Sequence, residues 1–197
     1  RCRLPGVGRV WCRRASRMEV KFIHREHFVE REYLRHGVVL QRGDTVFDVG
    51  ANIGLFALFA FAECRGECRL FCLVPIAPIF WFLQKNAEEH GLSAAGVTLL
   101  NLGLTHLGGP ERTPFTYFPR LSGNSTQRPS EKNRQTEALL RVFDEPRHAL
   151  RLIGKTPLHR RPFLRAAYLA AYPLLPLLRR RFVGLSETRE TIGRLTT

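Results

Sequence analysis

The sequence predicts an α/β fold wound around a parallel sheet, and three observations carry that expectation. Runs of β-branched, aliphatic and aromatic residues at 45–49, 69–73 and 97–100 have the length and composition of buried strands. Apolar stretches of helical length separate them, at 53–63 and from Pro75 to Gly91, so strand and helix alternate as parallel crossovers require. The first strand runs straight into Gly50 and Gly54, the mark of a tight strand-to-helix turn.

Taken in order, residues 26–36 predict a short helix stopped by Gly37, and Gly43 with Asp44 turns the chain into the first strand. The helix from Ile53 to Glu63 is apolar on nearly every side, which implies burial against a sheet. Gly66 precedes the second strand. Pro75 and Pro78 feed the first turn of the next helix, whose apolar face is Ile79, Phe80, Phe82, Leu83 and Ala87. Beyond the third strand the pattern weakens: 115–118 reads as a short strand, 119–129 as a polar loop, and 131–144 and 162–182 as helical.

The chain has 197 residues, of which 44% are hydrophobic and 24% charged, enough to bury a core and too apolar for a disordered protein. One domain is expected. Its 31 basic against 17 acidic residues give a net charge of +14, nearly all from arginine, and the second half holds most of the excess. Residues 1–17 and 146–186 carry no acid at all. Such stretches usually form solvated surface; they also suit an anionic partner. Five cysteines, Cys2, Cys12, Cys64, Cys68 and Cys72, have neither CxxC spacing nor a following histidine pair, so free thiols in a reducing, cytoplasmic setting are expected, without a metal site. The apolar run 166–178 contains Pro173 and Pro176 and is too short to span a bilayer; peripheral membrane contact through 162–182 is the alternative use of it.

The chemistry concentrates in Asp48-Val-Gly50-Ala-Asn52-Ile-Gly54 at the exit of the first strand, where an open α/β sheet places its ligand crevice. Gly50 tolerates a positive φ and lets a ligand approach the backbone, Gly54 lets the helix start close to the strand, and Asp48 offers a carboxylate to a cationic or hydroxyl-bearing ligand. Asn52 occupies the place of the second glycine of a dinucleotide fingerprint, which disfavours NAD.

Around these residues the sequence resembles the FkbM family of S-adenosylmethionine-dependent methyltransferases. Four blocks carry the resemblance: EYLRHGVVLQRGDTVFDVGANIGLF at 32–56, PIAPIFWFLQKNAEEHGL at 75–92, VTLLNLGL at 97–104 and FTYFPRLSGNST at 115–126. The resemblance implies a Rossmann-like class I methyltransferase sheet with a helical insert: an N-terminal extension (1–44), a cofactor-binding core (45–118), and an acceptor loop with a basic helical insert (119–197). It implies S-adenosylmethionine as cofactor, with Asp48, Gly50, Ala51, Asn52 and Gly54 at its methionine end, Val74 at the ribose position, and Asn101 and Gly103 near the adenine. Phe118, Ser122, Gly123, Asn124 and Ser125 correspond to the loop over the acceptor pocket. The implied reaction is O-methylation of a hydroxyl on a small molecule or glycan. Of the residues able to act as base by type, His36, His106 and Tyr117, none sits in a motif that assigns the role.

Two departures stand out. Family members read F-E-P at the end of the second strand, and the Glu accepts from the ribose hydroxyls; this chain reads Leu73-Val74-Pro75, a loss worth about 1.5–3 kcal/mol of binding. The family's Lys-Ile-Asp-Val-Glu-Gly-like strand has no counterpart before Thr197, so the sheet is expected to be incomplete at its C-terminal side, as in a truncated or degenerate member. These departures define the alternative, a catalytically inactive methyltransferase-like domain that binds an acidic partner, nucleic acid or membrane surface. Nucleic acid is the weakest of these, since no aromatic platform or GXXG loop is present.

Overall fold

The computed structural model describes residues 1–92, 96–128, 130, 131, 134, 150, 161–171 and 189–196. The chain forms two compact units, one of Arg1–Gln127 with Thr188–Thr197 and the other of Arg128–Glu187. The second contributes a described helix, Arg161–Ala171, with Phe163 and Leu169 exposed. Most of the helix expected at 131–144, and the rest of the stretch expected at 162–182, lies outside the described residues.

The first unit holds the expected parallel core. Strands β3 (Thr45–Val49), β4 (Arg69–Leu73) and β5 (Val97–Leu100) pair in that spatial order, all parallel, with Val46 opposite Leu70 and Leu70 opposite Val97. Helix α2 (Leu55–Glu63) crosses from β3 to β4 and helix α3 (Ala77–Glu89) from β4 to β5. Alternation assigns the faces. Leu70 and Cys72 point to the covered side and are fully buried, with Asp48 beside them, whereas Phe47 and Val49 point the other way and are 65% and 55% exposed. Among the described residues β3 has β4 on one side and no strand on the other.

Three elements depart from expectation. An N-terminal hairpin, β1 (Cys2–Leu4) with β2 (Gly8–Val10), turns through Pro5-Gly6 and packs Leu4 and Val10 into the core. The N-terminal helix, α1, spans Arg17–His24 and continues as a π turn through Arg25–Val29, ahead of the predicted 26–36. Its buried stripe is Val20, His24 and His27; two histidines serve as apolar positions and hide the periodicity. The chain then bends at Arg31 and His36, both at positive φ. The third departure is the C-terminal segment β8 (Arg189–Thr196), which pairs antiparallel with β7 (Arg112–Tyr117) and parallel with β6 (Gly103–Leu104). It joins that small sheet and leaves the edge of β3 as it was.

Candidate functional site

The turn after β3 is held by backbone bonds that leave little freedom. The N–H groups of Gly50 and Ala51 both donate to the Leu73 carbonyl, at 2.9 and 3.0 Å, and that of Gly54 to the Ala51 carbonyl at 2.8 Å. Gly50 and Gly54 have φ of 87° and 90°, and Asn52 takes a left-handed φ of 47°, a conformation asparagine tolerates better than most residues. A Cβ on Gly54 would lie 2.7 Å from the Leu83 side chain, so glycine here seats α2 against α3. One Cβ on Gly50 would meet nothing within 4 Å. The space there is open.

That opening belongs to a cavity of about 580 Å³ between α1, the start of α2 and strand β3, whose residues 46–49 all line it, within the range of ~300–1,000 Å³ that small ligands occupy. Asp48, Gly50, Ala51, Asn52 and Gly123 of the expected site line it, joined by His27, Tyr33 and Phe56, which the sequence did not single out. The lining includes two carboxylates, Glu26 and Asp48, and no arginine or lysine, in a chain of net charge +14.

Asp48 is 9% exposed, and its Oδ2 is buried with no hydrogen-bond partner. Burial pushes its carboxyl up to about 6. His27 is buried with an unpartnered Nδ1, packed edge-on against Tyr33 and Phe56, and burial followed by the neighbouring His24 pulls it down to about 4. The imidazole is therefore neutral near pH 7. Tyr33 is raised by burial first and then by the charges of Glu26, Asp48 and Glu32.

The remaining expected residues fall into two groups. Val74 is buried at the end of β4, donates its N–H to the Leu100 carbonyl and accepts from Asn101 Nδ2 at 2.8 Å; Gly103 is buried in β6. None of these three lines the cavity. Of the loop residues only Gly123 lines the cavity: Ser122–Asn124 is one 3-10 turn, the Phe118 N–H donates to Ser125 Oγ, and Ser125 donates its N–H to the Ser122 carbonyl. Ser122 Oγ lies 2.9 Å from the Asn52 side-chain amide, so the loop touches the glycine turn directly. Glu19 of α1 grips the same loop, accepting from the N–H of Ser122 at 2.9 Å and of Gly123 at 2.7 Å. Neither His36, His106 nor Tyr117 lines the cavity; the first two are exposed, and Tyr117 is buried in the core.

Asn86 of α3 was likewise not singled out. Only 1% exposed, it donates to the carbonyls of Ile53 and Trp11 and accepts from the Trp11 N–H, tying the hairpin to the glycine turn.

A parallel βαβαβ sheet with a cavity of ligand size at the glycine turn of its first strand makes this an α/β protein with its crevice where open parallel sheets place theirs. The chain is 50% identical over 72 residues to the 31-O-demethyl-FK506 methyltransferase FkbM of Streptomyces tacrolimicus, covering 36% of this chain and 27% of that protein. It is 33% identical over 126 residues to methyltransferase sdnD of Sordaria araneosa, covering 64% and 46%, and 28% identical over 131 residues to methyltransferase 1 of Beauveria bassiana, covering 66% and 49%. No protein-family model and no solved structure matches. The chain is thus related by sequence to FkbM-type methyltransferases, and it spans less than half the length of these curated relatives.

Proposed function

We propose that this chain forms the donor-binding part of an S-adenosylmethionine-dependent methyltransferase whose acceptor is a hydroxyl on a small molecule or glycan. The observation that carries the reading is Asp48: a buried carboxylate oxygen without a partner, at the glycine turn, on the wall of a cavity whose lining holds two carboxylates and no arginine or lysine. Such an atom fits a cationic ligand, since an unpaired buried carboxylate is costly until a positive or donor group meets it.

When bound, S-adenosylmethionine supplies an electrophilic methyl on a sulfonium. Asp48, ionised above about pH 6, offsets the ligand's positive charge, and neutral His27 adds no competing cation. Gly50 keeps the turn open and Asn52 presents its amide beside the cavity. The turn at Ser122–Asn124 borders the cavity through Gly123, on the side where a hydroxyl would be aligned and water excluded for in-line transfer. At the ribose end the apolar Val74 offers no acceptor, so weak donor affinity is expected from this chain.

Isothermal calorimetry tests the reading. S-adenosylmethionine should bind, and Asp48→Asn should weaken binding about ten- to a hundredfold, the worth of a charged hydrogen bond. Absence of binding to the wild-type chain would end the proposal.

A further inference from the structure

The contact between Glu19, Ser122 and Asn52 contains an arithmetic problem. Ser122 Oγ lies 3.0 Å from Glu19 Oε2 and 2.9 Å from Asn52 Oδ1, and both of those atoms are acceptors. A hydroxyl has one hydrogen and cannot donate to both. Glu19 is the stronger acceptor, being anionic and already the partner of the Ser122 and Gly123 N–H groups. The conflict is removed when the asparagine amide is turned end for end, so that Nδ2 donates to Ser122 Oγ and the hydroxyl donates to Glu19.

We propose that Glu19 is a positioning residue of the donor site, acting through Ser122 to fix which end of the Asn52 amide faces the cavity. The proposal rests on the methyl-donor reading above and adds a residue to it. In the relay from Asn52 through Ser122 to Glu19, the amide nitrogen is spent on the hydroxyl and the carbonyl oxygen is directed to the cavity side. There it joins Asp48 as a second oxygen toward a cationic ligand. Replacing Glu19 with glutamine reverses the order. The new amide has only one acceptor oxygen for three donors, and its nitrogen donates to Ser122. The hydroxyl hydrogen then swings to Asn52, whose oxygen must turn to receive it. The Asn52 NH₂ is left facing a cation, an arrangement of like polarity.

The architecture favours this role over simple loop fastening. Ser16, one turn earlier on the same N-terminal segment, already holds the loop's other end by donating from Oγ to the buried Pro119 carbonyl at 2.8 Å. Gly123 leaves room for the carboxylate, since a Cβ there would lie 3.2 Å from Glu19 Oε1. The loop therefore has a second tether, and Glu19 is spared for orientation.

The experiment compares the wild-type chain with Glu19→Gln and Ser122→Ala, neither of which changes side-chain bulk enough to threaten folding. Side-chain amide resonances of Asn52 in nitrogen-15 spectra read the relay without any ligand. One NH₂ proton should be shifted and protected in the wild type, and that protection should vanish in both variants. Calorimetry with S-adenosylmethionine reads the consequence: an affinity loss of about tenfold in Glu19→Gln, the worth of one hydrogen bond. Unchanged Asn52 resonances, or equal affinity in wild type and Glu19→Gln, would overturn the proposal. A wild-type chain that binds no S-adenosylmethionine would overturn the donor reading, and the Asn52 resonances would then decide the relay by themselves.

Discussion

Asp48 and His27 are buried groups on one cavity wall whose titrations oppose each other. Between pH 6.5 and about 4 the unfolded chain takes up a proton at His27 that the folded chain refuses, so this residue removes stability as pH falls through that window. Asp48 acts the other way. Between about pH 6 and 3.8 the folded chain keeps a proton on its carboxyl that the unfolded chain has shed, so the same acidification adds stability. The overlap makes the wild-type response to mild acid shallow. Asp48→Asn removes one side of the balance. At pH 7 it should stabilise the ligand-free chain, because a rise from 3.8 to about 6 corresponds to about 3 kcal/mol of buried-charge cost. Below pH 6 its stability should fall more steeply than that of the wild type. Urea denaturation at pH 7 and pH 5 measures both effects, and a variant less stable than the wild type at pH 7 would contradict the first. Gaining stability while losing donor affinity is the trade expected of a site held under electrostatic strain.

The elements that position the site are joined by a small number of polar contacts placed far apart in sequence. Asn86 is the clearest case, with three hydrogen bonds reaching the hairpin and the glycine turn at once. Its removal strands the half-buried N–H and carbonyl of Trp11 and the buried Ile53 carbonyl. Asn86→Leu should therefore cost about 3–5 kcal/mol despite its apolar replacement, since each orphaned buried group costs ~1–3 kcal/mol. Thermal denaturation checks this, with Lys85→Ala on the exposed side of the same helix as control. The control should change little, because a surface ion pair such as Lys85 with Glu88 is worth ~0–1 kcal/mol. Helix α1 plays the matching part on the other flank of the cavity, contributing His27 to the wall just past its end and Glu19 to the loop. No helix among the described residues is long and apolar enough to cross a membrane.

At the scale of the whole molecule, what could be read from the sequence follows the range of the forces involved. The β3–α2–β4–α3–β5 core was legible because glycines, prolines and apolar runs act locally. The turn residues Asp48, Gly50, Ala51 and Asn52 were legible for the same reason, and they do share one cavity wall. By contrast, β8 carries three charged residues among eight and pairs with β6 and β7 at least seventy positions earlier, so nothing local announces it. His27 and Glu19 were missed for a related reason: they reach the site by tertiary packing from an N-terminal segment with no motif. The hairpin, in contrast, had a signal in Pro5-Gly6 that could have marked it.

The sheet's uncovered side yields the last prediction. Phe47 stacks on Phe71 with ring centroids 4.9 Å apart, and Phe47 remains 65% exposed on a strand whose outer edge has no described partner. An apolar edge strand of this kind is a template for pairing with another chain, because its free N–H and C=O groups and its side chains favour the same contact. The five residues of β3 include no lysine, arginine or proline to oppose it. Net charge of +14 opposes association at low salt, when repulsion between copies extends furthest. Raising the salt should therefore promote self-association of this chain, and Phe47→Lys should suppress it by placing a charge on the exposed face of the edge strand. Sedimentation velocity at low and high salt measures both. Association that weakens with salt, or persists unchanged in Phe47→Lys, would place the contact elsewhere on the basic surface.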